Sequence, residues 1–123
     1  MNSTEQQIFS DVAREVYTLA WEKGFHPEYS ARLNGESVTL DRMAVFCANL
    51  HGEVSELWEA ARKGSLGKQC DKACNLTCAE EELADIVIRA LDTAYALGID
   101  IGRAIHLKNE YNKTRPHMHG KLA

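Results

Sequence analysis

Proline occurs only at Pro27 and Pro116 in a chain of 123 residues, so long helices are permitted nearly everywhere between them. The strict alternation of apolar and polar residues that marks a half-buried strand is absent. No apolar run approaches the roughly 18 residues that a membrane span requires. A formal charge of −4 leaves no basic footprint for a nucleic-acid backbone. Neither a membrane nor a nucleic acid is therefore an expected partner. There is no Gly-rich phosphate loop, no Glu-x-x-His motif, no internal repeat and no low-complexity segment. The first residues, Met1 to Gln7, are polar and acidic and do not read as a secretory signal, which makes the cytoplasm the expected address.

Apolar content of 45% and charged content of 26% are those of an ordinary globular domain. The length allows one domain, 1–123, with a core that needs no disulfide or structural metal. Helical spacing predicts four helices, at about 4–23, 40–62, 79–97 and 100–114, followed by a tail, 115–123. Ile8, Val12, Val16 and Leu19 mark the first, and Gly24 stops it. Thr39 caps the second, whose stripe is Met43, Phe46, Cys47, Leu50, Val54, Leu57 and Ala61. Thr77-Cys78-Ala79-Glu80 matches a capping box opening the third. Its stripe is Leu83, Ile86, Val87, Ala90, Leu91, Ala94 and Leu97. Asp100 caps the fourth. The expected architecture is an all-α four-helix bundle. Phe25 to Val38 reads as a long loop, and Lys63 to Thr77 as a loop with room for a short helical turn.

Two helices carry carboxylates where solvated charge alone does not explain them. Glu53 and Glu56 are spaced i, i+3 on the second helix, and Glu82 and Asp85 repeat that spacing on the third. Residues so spaced are surface neighbours. Packed face to face, the two helices would aim four carboxylates at one volume, where repulsion and desolvation call for a cation. Glu53 sits within the apolar stripe between Leu50 and Leu57. The competing reading is a surface ladder in which Arg89 pairs with Asp85 and Asp92 along the third helix.

Di-iron carboxylate bundles take histidine ligands from Glu-x-x-His motifs, which this chain lacks. An all-oxygen site suits Mg2+ or Mn2+ instead. On the fourth helix the apolar face of Ile101, Ala104 and Ile105 continues as Lys108, Asn112 and Arg115. Cations there can satisfy the helix macrodipole, but the in-line trio also suits an anion such as phosphate. Acids and cations around one cavity read as a nucleotide-polyphosphate site. Trp21, Phe25 and His26 near the end of the first helix, or Trp58 on the second, are candidates to stack on a base, although aromatics at helical spacing usually belong to a core. Cys70, Cys74 and Cys78 follow at steps of four. They lack the separate second pair that structural zinc favours, and read as loop thiols more readily than as a zinc or iron–sulfur site.

The order Glu53-x2-Glu56, then 25 residues, then Glu82-x2-Asp85 resembles the signature of the MazG-like all-α nucleoside triphosphate pyrophosphohydrolases. The run from Lys108 to Pro116 is similar to that family's third conserved segment. His119-Gly120-Lys121 resembles the His-Gly-Gly-Lys ending of many small members, with one glycine missing. The resemblance spans roughly Leu40 to Lys121. It implies Mg2+-dependent hydrolysis of a (deoxy)nucleoside triphosphate to the monophosphate and pyrophosphate, often as pool house-cleaning. It also implies metal ligation by Glu53, Glu56, Glu82 and Asp85 and phosphate binding by Lys108, Asn112 and Arg115. Glu53, by its buried position, is the candidate catalytic base. Members usually assemble as homodimers or homotetramers in which neighbouring helices complete the site, and the Cys70/Cys74/Cys78 loop falls in a variable region. Two alternatives stand: a non-catalytic, metal-stabilised partner-binding or regulatory module, and an enzyme resembling the phosphoribosyl-ATP pyrophosphohydrolases, which share the bundle.

Overall fold

The computed structural model describes residues 1–26, 39–72 and 74–120. Four helices follow in order: α1 (Ser3–Glu22), α2 (Leu40–Arg62), α3 (Cys78–Ala96) and α4 (Ile101–Lys113), with a short 3-10 turn at His117–Gly120. The chain is an all-α four-helix bundle. Most of the loop expected at Phe25 to Val38 lies outside the described residues, as does Lys121 in the tail.

Local sequence explains where each helix begins. Asn2 accepts from the Glu5 backbone while Glu5 reaches back, a capping box one residue ahead of the expected start. Thr39 accepts from the Arg42 N–H and Asp100 from the Arg103 N–H. Thr77 and Glu80 form the expected reciprocal box at α3. Gly24 (φ 87°) and Gly98 (φ 74°) adopt the left-handed conformation that ends α1 and α3.

Helix α3 is central: α1 and α2 both pack along it, while α4 docks mainly on α1. Two features tie α4 down. Ser10 Oγ donates to Asp100 Oδ1 at 3.1 Å. Gly102 is buried where a Cβ would lie 2.2 Å from the Gln6 carbonyl oxygen, so only glycine permits this approach of α4 to α1.

The segment from Lys63 to Thr77 is the expected loop, with turns in place of a helical turn among its described residues. It folds back on itself through an isolated antiparallel bridge between Gln69 and Thr77. The Cys70 N–H donates to the Leu76 carbonyl and the Cys78 N–H to the Lys68 carbonyl, both at 2.8 Å.

The core is thin. Among the described residues the buried apolar side chains are Ala13, Phe46, Cys70, Leu91, Ala94 and Ala96. Leu91 and Ala94 of the expected α3 stripe are inside, but Leu83 and Val87 are about half exposed (52% and 50%). The face that α3 turns toward α1 and α2 instead carries Glu81, Asp85, Arg89 and Asp92, of which Glu81 and Asp92 are buried. The acid-bearing side of α3 is thus its packed side, and much of its apolar side is left uncovered by this chain.

Candidate metal centre

Glu53 and Glu56 project from the middle of α2, and Glu82 and Asp85 from the first turns of α3. One carboxylate oxygen of each can be chosen so that all four lie within 4.8 Å of one another. An ion held at about 2.1 Å separates opposite ligand oxygens by about 4.2 Å, so only a small contraction would close the four onto one cation. Glu82 Oε2 is buried and has no hydrogen-bond partner, a costly state for a carboxylate oxygen. The residues present fit a hard divalent ion.

The electrostatics express the same crowding. Burial pushes the Glu82 carboxyl above its ordinary pKa, and the charges of Glu56, Glu81 and Asp85 push it further. Asp85 is raised by burial and by Glu53 and Glu81, against the pull of Lys72 and Arg89. Partial relief comes from two cations. Arg89 Nε donates to Glu53 Oε1 at 3.4 Å, crossing from α3 to α2. Among the described residues this cross-helix pair stands in place of the competing reading, a ladder along its own helix with Asp85 and Asp92. Lys72, from the α2–α3 loop, pairs with Glu81 beside the cluster, and that bond holds its ammonium well above the usual lysine range.

Three of the acids, Glu53, Glu56 and Asp85, line a cavity of about 430 Å3 together with residues of α1 and α3, while Glu82 lines a separate depression with Glu56 and Lys72. Glu53, Glu56 and Asp85 face Val16, Leu19 and Ala20 across it, and Lys23, Lys72 and Arg89 add three cations. Phe25 also lines it, with the Arg89 guanidinium 4.9 Å from the ring centroid. Sequence spacing gave no hint of Lys23 or Lys72 here, because neither shares a helical repeat with the acids.

The other candidate residues are dispersed. His26 is buried (5% exposed), with Nε2 2.7 Å from Asp92 Oδ1 and Nδ1 3.2 Å from the Arg42 guanidinium. Tyr17 and Phe46 pack near its ring at centroid distances of 4.8 Å and 6.3 Å. It is an interior group linking α1, α2 and α3, and Asp92 connects it to the cavity. Trp58 is 64% exposed. Trp21 lies with Tyr17, Thr18 and Glu22 beside a different depression. Among the described residues, Phe25 is the candidate aromatic that lines the acid cavity.

Lys108 and Asn112 line a shallow surface depression on α4 with Ile101, Ala104 and Ile105, away from the acid cavity. Arg115 follows α4, its guanidinium 5.6 Å from the Tyr111 ring centroid. Asn112 Oδ1 is buried without a hydrogen-bond partner. Among the described residues the structure unites the four acids, while Lys108 and Asn112 line a depression separate from theirs. No helix among the described residues is long and apolar enough to cross a membrane. No family model, curated protein or solved structure matches the chain.

Proposed function

We propose that the protein is a Mg2+-dependent nucleoside triphosphate pyrophosphohydrolase of the MazG-like type, converting a (d)NTP to the (d)NMP and pyrophosphate. The observation that carries this reading is the convergence of Glu53, Glu56, Glu82 and Asp85 within 4.8 Å, with one Glu82 oxygen buried and unpartnered. Mg2+ or Mn2+ bound there would neutralise phosphate charge and lower the pKa of an attacking water.

The chain's own residues supply the remainder. Lys23, Lys72 and Arg89 line the cavity and would attract the triphosphate. Phe25 offers an apolar ring in the same wall for the base. Glu53, half-buried and beside Arg89, would orient the water or accept its proton. Lys108, Asn112 and Arg115 would reach a triphosphate only from a neighbouring copy. The uncovered Leu83 and Val87 on α3 and Val54 on α2 support assembly into a dimer or tetramer.

A second reading, a metal-stabilised helical module without catalysis, draws on the Arg89–Glu53 pair, in which the protein answers part of its own negative charge. Pyrophosphate release from a panel of NTPs and dNTPs with Mg2+ separates the two. The enzyme reading expects release from at least one of them. Well-folded protein that binds Mg2+ and releases none from any would establish the module.

A further inference from the structure

The loop joining α2 to α3 carries a cluster that the acid site does not use. The Cys70 and Cys74 sulfurs lie 2.7 Å apart, within about 0.7 Å of the covalent S–S length. Cys70 is buried and Cys74 exposed, so one sulfur is open to a reagent and the other is shielded behind it. The loop holds this pairing through the Gln69–Thr77 bridge and the flanking backbone bonds, and Asn75 takes a positive φ of 57° to turn the chain. Cys47 is on α2, and the Cys78 thiol donates to the Gln69 carbonyl at 3.9 Å. The three cysteines at steps of four do not make a metal-grade cluster, for among the described residues only the carboxylates qualify.

Between the paired cysteines lies Lys72. Its ammonium pairs with the buried Glu81 carboxylate, one residue before the metal-ligand candidate Glu82, and its side chain lines the acid cavity. The sulfurs approach each other while Lys72 is in this position, so a bond between them would hold the turn as it stands.

We propose that Cys70 and Cys74 form a reversible dithiol–disulfide site, oxidised by low-molecular-weight disulfides, which locks the turn carrying Lys72 against Glu81 at the edge of the acid cavity. In the first step one cysteine, as its thiolate, attacks a sulfur of the reagent RSSR, forming a mixed disulfide and releasing one RS−. The second cysteine then attacks the protein sulfur of that mixed disulfide and releases the other RS−. Each departing thiolate takes up a proton lost by a cysteine. The balance is two cysteine thiols and RSSR giving one protein disulfide and two RSH. The site stands independently of the proposed hydrolysis.

The test treats the full chain with oxidised glutathione and reads intact mass and a peptide map, before and after reduction. The expected product has lost the mass of two hydrogens, links Cys70 to Cys74, and returns to the starting mass with dithiothreitol. Cys70→Ser should stop at the glutathione adduct on the exposed Cys74 and Cys74→Ser should form no linkage at the shielded Cys70, whereas Cys47→Ser and Cys78→Ser should still close. Circular dichroism checks that each variant is folded. A persistent adduct mapped to Cys70 or Cys74 on the unaltered chain, a linkage through Cys47 or Cys78, or no reaction at the pair would overturn the site, whereas an adduct on the exposed Cys47 lies apart from it. Cleavage by trypsin after Lys72, read after reduction, tests the lock. It should be several-fold slower in the oxidised chain, and equal rates would show that closing the disulfide does not hold Lys72.

Discussion

Arg89 on α3 and Glu53 on α2 meet through Nε and Oε1 at 3.4 Å, with both side chains less than a quarter exposed. The pair is a direct side-chain tie between the two acid-bearing helices, and it places a cation where a metal would compete for the same carboxylate. Arg89→Gln should destabilise the metal-free protein by about 1.5–3 kcal/mol, the range for a lost hydrogen bond to a charged group. It should also increase the rise in melting temperature produced by Mg2+. Thermal unfolding with chelator and with saturating Mg2+ measures both.

Glu82 should behave in the opposite sense. Its carboxylate is crowded and one of its oxygens is unpartnered, so Glu82→Gln should leave the metal-free protein as stable as before or more so. The same change should weaken the protection given by Mg2+. That protection is about 2.7 kcal/mol for a ligand present at 100 times its Kd. Melting curves over a Mg2+ titration would reveal the loss, and unchanged Mg2+ protection would remove Glu82 from the ligand set.

The pH dependence follows from the same crowding. Glu82 and Asp85 carry raised pKa values in the folded, metal-free protein. Above the ordinary carboxyl range the folded state therefore binds more protons than the unfolded state, and stability falls as pH rises through the folded values. In chelator, denaturant midpoints should decrease over this interval. The slope should flatten in Glu82→Gln.

Glu53→Gln should abolish pyrophosphate release under the proposed function. Removal of a positioned base alone is worth about 100- to 10,000-fold, and loss of a metal ligand would add to it. The far-ultraviolet circular dichroism should stay nearly unchanged. Retained turnover would exclude Glu53 from both roles.

Gly102→Ala tests the α1–α4 junction. The added carbon would meet the Gln6 carbonyl at 2.2 Å, and backbone has little freedom to yield. A loss of about 1–3 kcal/mol, as for overpacked cores, is expected, read as a lower denaturant midpoint with an unchanged slope. An unaffected midpoint would mean that α4 can move away from α1 without penalty.

Helix positions and caps were legible because they are decided within a few residues: Thr77 with Glu80 and Asp100 with Arg103 need nothing distant. The four acids were legible because the i, i+3 spacing recurs on two helices, and a shared neighbour converts two local patterns into one site. Lys72 and the His26–Asp92 pair were not. Each depends on contacts across the fold, and Lys72 comes from a loop whose bridge leaves no periodic trace. The apolar stripe of α3 was visible, but its destination was not, since hydrophobicity alone does not say whether the covering surface comes from the same chain. Gly102 left one sign, a glycine inside a helical pattern, whose meaning required the position of Gln6.

Helix α3 packs an acid-bearing face along its length and carries an apolar stripe that is exposed at Leu83 and Val87 and buried at Leu91 and Ala94, which has a consequence for how the sequence can change. A single inserted or deleted residue between Asp85 and Asp92 would rotate everything beyond it by about 100°. Asp92 would leave His26, and the buried Leu91 and Ala94 would leave the core. The length of this helix is therefore fixed to the residue, and changes in chain length should be confined to the connections around it.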